Sequence, residues 1–299
     1  MNGLFEIGSA PINWGIEGVV DGNPDPGEVL DAVTNDGYAG CELGAHGYFG
    51  LTANDILGHF AQRRLAVVAS WAGVDLARPL APDTAEELRL IASFLEAGGS
   101  RVLLISDKMT EERIGVAARV DRFPESWWTD DEWSQVPRTL GQILDLAGEF
   151  GLQVAVHPHV GTHLETGPEI RRLLDLTEGT PIRLCLDTGH IQIGGSDPIA
   201  LLRRDGSRLA HVHAKDVDAA LLEEVRAGRQ DYFQAIGNGL YCDLGAGIVD
   251  WPGLRAGLDA CAFSGWVVVE QDQLLKPGSR QPYESNTKNR HFLRSLLNA

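Results

Sequence analysis

The chain has 299 residues, 43% hydrophobic and 22% charged, which is ordinary for a globular protein with one large α/β domain or two small ones. Its formal net charge of −17 opposes binding to a phosphate backbone, so we expect no nucleic-acid partner. The four cysteines lack a C-x-x-C pair, and no segment is typical of a signal peptide or a membrane helix, so we expect a cytoplasmic protein with no membrane partner.

Short runs rich in Val, Ile, Leu and Ala recur along the chain and predict eight β-strands. Their nearly continuous apolar character is typical of strands that are buried on both faces, which favours a parallel sheet. The predicted strands cover residues 4–12, 39–43, 65–71, 101–106, 152–158, 182–187, 209–214 and 266–271.

Amphipathic segments between these runs predict helices. Residues 84–97 place their apolar side chains on one face, and Thr84 with Glu87 has the spacing of a capping box. Residues 137–150 form a second such segment, and Gly98, Gly99 and Gly151 are expected to end these helices.

Eight strands alternating with helices predict a (β/α)8 TIM barrel that forms a single domain over residues 1–299. An open doubly wound sheet is disfavoured because no G-x-G-x-x-G motif follows the first strand. Two long connections, 107–136 and 215–252, follow predicted strands, so we expect them to cover the catalytic face. The tryptophans of the first connection (Trp127, Trp128 and Trp133) fit either a lid or a subunit contact, which leaves a homo-oligomer open.

Imidazoles and carboxylates stand at the ends of several predicted strands. In a barrel these strand ends meet at the catalytic face. A lone histidine there is usually hydrogen-bonded scaffolding and a lone aspartate is usually a cap, but four adjacent strands that each deliver such a group indicate a metal site. The residues concerned are Glu42, His157, His159, Asp187, His190, His211, His213, Lys215, Asp216, Glu270 and Asp272.

The predicted metal ligands are one residue per strand: His157, Asp187, His213 and Glu270. Strand alternation puts His211 and His213 on the same side, with His211 one pleat deeper in the barrel. Two nitrogens and two carboxylates suit Mn²⁺ or Co²⁺ at least as well as Zn²⁺.

Three of these motifs, "LDTGH", "HVHAKD" and "VVVEQD", resemble the xylose-isomerase-like barrel superfamily. The resemblance is closest to its inosose dehydratases, because "APINWG", "GYAGCELGAHGY" and "HPHVGTHLET" look like motifs of that group. Many superfamily members carry glutamate at the position of His157, and the segments "GNGLYCDLGAG" and "WGIEGVVDGNPDP" also depart from the usual pattern. Both segments would touch the substrate.

The resemblance implies a hydro-lyase that removes water from a polyhydroxylated cyclic ketone such as 2-keto-myo-inositol, through a metal-stabilised enolate. A sugar isomerase or epimerase, or a keto-glycoside lyase, is the alternative on the same barrel. A non-catalytic sugar-binding barrel would not need this set of strand-end residues. In each of these cases the partner is a small polyol or keto-sugar.

The remaining strand-end groups are assigned roles around this substrate. Either a neighbouring metal ion would lower the pKa of Lys215, or Lys215 would simply hold a substrate hydroxyl; Asp216 would orient Lys215 or His190. Trp14 fits rim packing as well as it fits a substrate contact. The candidate catalytic residues are Glu42, His159, His190 and Lys215, and the candidate substrate contacts are Asn13, Trp14, His46 and Asp216, with His46 also a candidate acid or base.

Overall fold

The computed structural model describes residues 5–274 and 280–298, and it contains an eight-stranded parallel barrel. All eight predicted strands are confirmed, although most are shorter than expected; residue 4 lies outside the described residues. The barrel strands, called first to eighth below, are Phe5–Ser9, Gly40–Cys41, Ala66–Val67 continued by Ala69–Val74, Val102–Asp107, Gln153–Val156, Arg183–Asp187, Leu209–Ala214 and Gly265–Val269.

The barrel closes through its third strand and through its first and eighth strands. Ala66–Val67 pairs with the second strand and Ala69–Val74 pairs with the fourth, so the interruption at Val68 lies where the sheet turns to close. The first strand pairs with the eighth in parallel register from Phe5 with Gly265 onward. A side chain at Gly40 would lie 2.7 Å from the Ala66 carbonyl oxygen, so only glycine allows the second and third strands to approach this closely.

Helices surround the barrel and bury their apolar faces against it. The barrel interior is filled by small and branched side chains such as Val102, Leu104, Ala155 and Val268, while a larger core lies between the strands and the helices. The α-helices are Pro26–Asn35, Ala53–Arg63, Pro82–Ala97, Glu111–Gly115, Asp130–Glu149, Gly167–Leu176, Thr188–Ile193, Pro198–Asp205, Ala219–Arg226, Tyr232–Gly237, Trp251–Ala260 and Gln281–Leu297, with 3-10 turns at Pro11–Trp14, Val120–Arg122, Pro124–Ser126 and Gly206–Arg208.

Two helix starts differ from the prediction. The helix expected over 84–97 begins at Pro82 and has no side-chain cap, so the capping box of Thr84 with Glu87 was wrong. Proline already has helical φ and lacks a donor to satisfy, so it starts this helix two residues before Thr84. The helix expected over 137–150 is Asp130–Glu149, because a capping box of Thr129 with Glu132 starts it earlier.

The two long connections contain more regular structure than expected. Within 107–136 lie a short helix and the first turns of Asp130–Glu149, and Trp128 and Trp133 are buried against each other with ring centroids 5.0 Å apart. Trp127 is 47% exposed, so a subunit contact there would rest on that residue alone of the three. Residues 215–252 contain two helices and the antiparallel pair Asp216–Val217 with Tyr241–Cys242. Within 5–274 and 280–298, no helix is both long and apolar enough to span a membrane.

Candidate metal centre

The four predicted metal ligands lie together at the carboxyl ends of the fifth to eighth strands. Asp187 is the last residue of the sixth strand, His213 lies near the end of the seventh, and His157 and Glu270 directly follow the fifth and the eighth. Parallel strands bring these ends to one face of the barrel, and strand alternation turns the side chains inward. The side chains of Asp187, His157 and His213 are almost completely buried, and 12% of the Glu270 side chain is exposed.

The donor atoms of this cluster are separated by distances that suit a metal ion. His213 Nδ1 lies 3.2 Å from Glu270 Oε2 and 3.6 Å from Asp187 Oδ2, and His157 Nε2 lies 3.3 Å from the same Asp187 oxygen. Bonds of about 2.1 Å place ligand atoms roughly 3.0–3.4 Å apart in octahedral or tetrahedral geometry. His213 Nδ1 is buried and has no hydrogen-bond partner among the described residues, so the donor set fits a divalent cation.

Asp187 and Glu42 fix the orientation of this cluster. The second oxygen of Asp187 accepts a hydrogen bond from the His190 backbone N–H (2.8 Å), so the residue also caps the helix Thr188–Ile193. Glu42 Oε1 lies 2.8 Å from His211 Nε2 and 3.1 Å from His213 Nε2. A carboxylate only accepts in these contacts, so it holds a proton of His213 on Nε2 and leaves Nδ1 as the nitrogen that would bind a metal.

The charges around Glu42 and His213 set the pKa values of both groups. Burial acts to lower the pKa of His213, but Cys185, Glu270 and Glu42 raise it well above its ordinary value, so a bound metal would displace the Nδ1 proton. Burial acts to raise the pKa of Glu42, but His213 and His211 lower it to about 2, so the carboxylate is ionised. Glu42 also faces the cavity, yet its contacts with His211 and His213 are those of a residue that orients histidines. Its predicted role as an acid or base stays a prediction.

Lys215 is surrounded by carboxylates. Its Nζ lies 2.9 Å from Asp272, 3.0 Å from Glu270 and 3.4 Å from Asp187. Burial acts to lower the pKa of Lys215, but these carboxylates raise it well above its ordinary value. Negative charges therefore outweigh burial at Lys215, and the lowering of this pKa expected beside a metal ion stays a prediction. The ammonium group is a fixed cation beside the candidate metal site.

Asp272 is a strand-end residue that the sequence analysis named but to which it gave no role. Burial raises its pKa to about 6, with Lys215 opposing and Glu270 adding to the shift. It stands two residues beyond Glu270 in "VVVEQD", and this alternate spacing is the signal that could have placed it on the same face.

His190 and Lys215 belong to a chain of hydrogen bonds that includes two further unpredicted residues. His190 Nε2 lies 3.0 Å from Lys215 Nζ, and His190 Nδ1 lies 3.0 Å from the Tyr241 hydroxyl. The Tyr241 hydroxyl in turn contacts the Tyr232 hydroxyl at 2.7 Å. Both tyrosines come from the 215–252 connection, which was expected to cover the catalytic face, but no local sequence pattern singled out these two residues.

His159 faces the cavity and is held in one tautomer. Its Nδ1 lies 2.7 Å from the Val160 carbonyl oxygen, which only accepts, so Nδ1 carries the proton and Nε2 is a free acceptor. Burial, His157 and Lys215 lower the pKa of His159 to about 3, which keeps the ring neutral. His163, four residues further on, forms a hydrogen bond with Asp107 (3.0 Å) and stacks on Trp128, so it supports the loop.

Two of the predicted substrate contacts, Asn13 and Asp216, have structural roles instead. Asn13 donates to Ser9 and to the Val269 carbonyl and accepts from the Gln271 backbone, so it ties the first strand to the eighth. Asp216 accepts from four backbone N–H groups and from the Trp251 indole at 2.8–3.1 Å. These partners saturate Asp216, so it orients neither Lys215 nor His190.

Of the other two predicted substrate contacts, Trp14 packs away from the cavity and His46 lines it. Trp14 is buried against Tyr283 and does not line the cavity, so its alternative assignment to packing is the one the structure supports. His46 does line the cavity, with its ring nearly parallel to that of Phe94. Its predicted contact with substrate stays a prediction.

A cavity of about 610 Å³ opens above the cluster. Its volume falls within the roughly 300–1,000 Å³ of small-molecule sites. The six ionisable residues that form one end of it are called the polar floor below: Glu42, His157, His159, Lys215, Glu270 and Asp272.

The architecture and the cluster define the class: a parallel α/β barrel with a buried histidine–carboxylate site for a small molecule at the carboxyl ends of its strands. The chain belongs to the xylose isomerase-like TIM barrel family, whose model matches residues 30–294. The resemblance expected from the motifs is thereby confirmed.

The chain is similar over almost its whole length to inosose dehydratases. It is 28% identical to that of Geobacillus thermodenitrificans over 296 residues, covering 97% of this chain and 96% of the relative. It is also 28% identical to that of Lacticaseibacillus casei, covering 98% of both chains. Among solved structures, the IolI protein with a bound zinc atom has a TM-score of 0.72 at 15% identity, with 98% of each chain covered. An L-ribulose 3-epimerase also has a TM-score of 0.72 at 15% identity, covering 99% of this chain and 95% of that one.

Proposed function

We propose that this protein is a metal-dependent hydro-lyase that removes water from a polyhydroxylated cyclic ketone of the inosose type. The inosose dehydratases that match the chain from end to end support this reaction class. The observation that carries the proposal is the convergence of His213 Nδ1, Asp187 and Glu270 at the floor of a cavity of small-molecule size.

In this proposal His157, Asp187, His213 and Glu270 hold the metal, and Glu42 orients His213. Mn²⁺ and Co²⁺ suit the mixed nitrogen and oxygen set, and the zinc atom of the IolI structure supports a divalent ion. When bound, such an ion supplies a Lewis acid that stabilises negative charge developing on a carbonyl oxygen.

The residues that face the cavity supply complementary proton chemistry. His159 presents a neutral Nε2 that can accept the proton next to the carbonyl, and Lys215 presents a protonated amine. Loss of that proton breaks a C–H bond, and the hydroxyl on the following carbon leaves with a proton from Lys215 as water. A carbon–carbon double bond forms, and it is an enol because the carbon that lost the proton also carries a hydroxyl. Transfer of that hydroxyl proton to the neighbouring carbon gives a diketone, and no oxidant or reductant is needed.

The test measures bound metal and water loss in the same preparation. We expect the purified protein, supplied with Mn²⁺ or Co²⁺, to convert 2-keto-myo-inositol into a diketone that is followed by its ultraviolet absorbance. Asp187→Ala should lose both bound metal and turnover, whereas His291→Ala, an exposed histidine on the last helix, should keep both. Conversion to an epimer or an aldose–ketose pair without loss of water would instead favour an isomerase.

A further inference from the structure

The cavity has an apolar part that the proposed chemistry does not use. Beside the polar floor, it is lined by buried aliphatic and aromatic side chains, five of which are called the apolar wing below: Ile16, Phe49, Ile56, Ile91 and Phe94. Glu17, His46, Glu87 and Lys108 also line the cavity, but these four residues are exposed and can keep their polar ends in water. The cavity therefore joins an ionic floor to a hydrophobic surface.

The fold holds the apolar wing rigidly. Ile91 and Phe94 lie three residues apart on the helix Pro82–Ala97, so they share one face. Ile56 comes from the helix Ala53–Arg63. Phe49 is fixed by an edge-to-face contact with Phe60, with ring centroids 5.2 Å apart. A ligand would meet a preformed surface, which reduces the entropy lost on binding.

The cavity is larger than a monocyclic polyol requires. An inosose has 12 non-hydrogen atoms. If each of these atoms took up roughly 30 Å³, the volume of a molecule in liquid water, the inosose would fill roughly 360 Å³. A cavity of about 610 Å³ leaves space for a further group of the size of a six-membered aromatic ring. Exposed Leu51 and Val19 lie next to Gly47 of the cavity lining, so apolar surface continues outward.

We propose that the substrate is a polyhydroxylated cyclic ketone that carries an apolar, preferably aromatic, substituent, and that the apolar wing binds this substituent. The inference rests on the proposed function, because the polar floor must hold the oxygenated ring. The wing sets specificity: it contributes binding to substituted ketones and none to an unsubstituted inosose.

The test uses two unreactive ligands with the same oxygenated ring. Phenyl β-D-glucopyranoside and methyl β-D-glucopyranoside are titrated calorimetrically into the full-length protein supplied with Mn²⁺. We expect the phenyl compound to bind at least about tenfold more tightly, because only its ring reaches the wing. Equal affinities, or no binding of either compound, would overturn the inference.

A pair of variants on one helix locates the effect. Ile91→Ala should reduce the preference for the phenyl compound severalfold, whereas Leu90→Ala, which changes an exposed neighbour of similar size, should leave it unchanged. A folded Ile91→Ala protein with the full preference would contradict the assignment of the wing. If this variant does not fold, the ratio in the unmodified protein still decides. Turnover of 2-keto-myo-inositol is measured separately, so failure of the proposed function is recognised independently of the phenyl preference.

Discussion

Replacing Glu42 by glutamine tests whether this buried carboxylate orients a metal ligand or transfers a proton. Its Oε1 contacts both His211 and His213, and the contact with His213 fixes the tautomer that frees Nδ1. Hydrogen bonds to an ionised group contribute about 1.5–3 kcal/mol, and neutral ones about half of that. The substitution therefore weakens the support of His213 by roughly 1–1.5 kcal/mol, which corresponds to about a tenfold loss of metal affinity.

The assay is a calorimetric titration of metal-free protein with Mn²⁺, combined with turnover at saturating Mn²⁺. We expect Glu42→Gln to bind Mn²⁺ about tenfold more weakly and to recover most of its kcat when the metal is in excess. Glu17→Gln serves as the control, because Glu17 lines the same cavity and its pKa is raised by burial alone. Unchanged metal affinity with a collapse of kcat at saturation would refute the orienting role and make Glu42 the base.

Three further predictions follow from buried groups. Asp216→Asn should lower the free energy of unfolding by about 3–5 kcal/mol, which corresponds to a melting temperature lower by about 5–8 °C, because at least two donors lose their acceptor. The control Asp218→Asn, which changes a helix cap, should leave the melting temperature nearly unchanged. A raised KM at unchanged melting temperature of Asp216→Asn would contradict this structural role. Burial raises the pKa of Glu165 to about 7, so Glu165 binds a proton more tightly in the folded than in the unfolded protein. Its contribution to the free energy of unfolding, up to about 3 kcal/mol, therefore falls as the pH rises from about 4.5 to 7. In urea unfolding, Glu165→Gln should show a flatter dependence of this free energy on pH than the unmodified protein, and the same dependence in both proteins would exclude Glu165 as the cause. Lys215→Met should keep Mn²⁺ affinity and lose about 10²-fold or more in kcat, and loss of metal would instead give Lys215 a structural role.

The strands were predictable because their apolar runs record burial on both faces. The fourth strand shows this directly, since all its residues from Val102 to Asp107 are buried. Helix starts were less predictable because capping patterns compete. Thr84 with Glu87 has the same spacing as Thr129 with Glu132, and only the second pair forms a capping box. Pro82 starts its helix two residues before Thr84, so Thr84 lies inside the helix and does not cap it.

The site was predictable wherever strand alternation alone determines which way a side chain points, as it does for His213 and Asp187. Asn13 and Asp216 could not be assigned in this way, because both stand near strand ends and either direction is open to a short polar side chain. Whether such a residue contacts substrate or supports the fold depends on how many hydrogen-bond donors and acceptors the rest of the chain places around it. For Asp216, four of the five donors come from residues 245–251, which only the folded connection places there.

The pairing of the first strand with the eighth sets a delay on folding during synthesis. Phe5 meets its partner Gly265 only after 260 further residues have been added. At about 5–20 residues per second the ribosome needs roughly 10–50 s to make that stretch. Throughout this time the Phe5–Ser9 edge cannot pair with the eighth strand, and unpaired apolar edges promote aggregation. Chaperone dependence of the yield on expression should therefore be relieved by a circular permutant in which these two strands are adjacent in sequence.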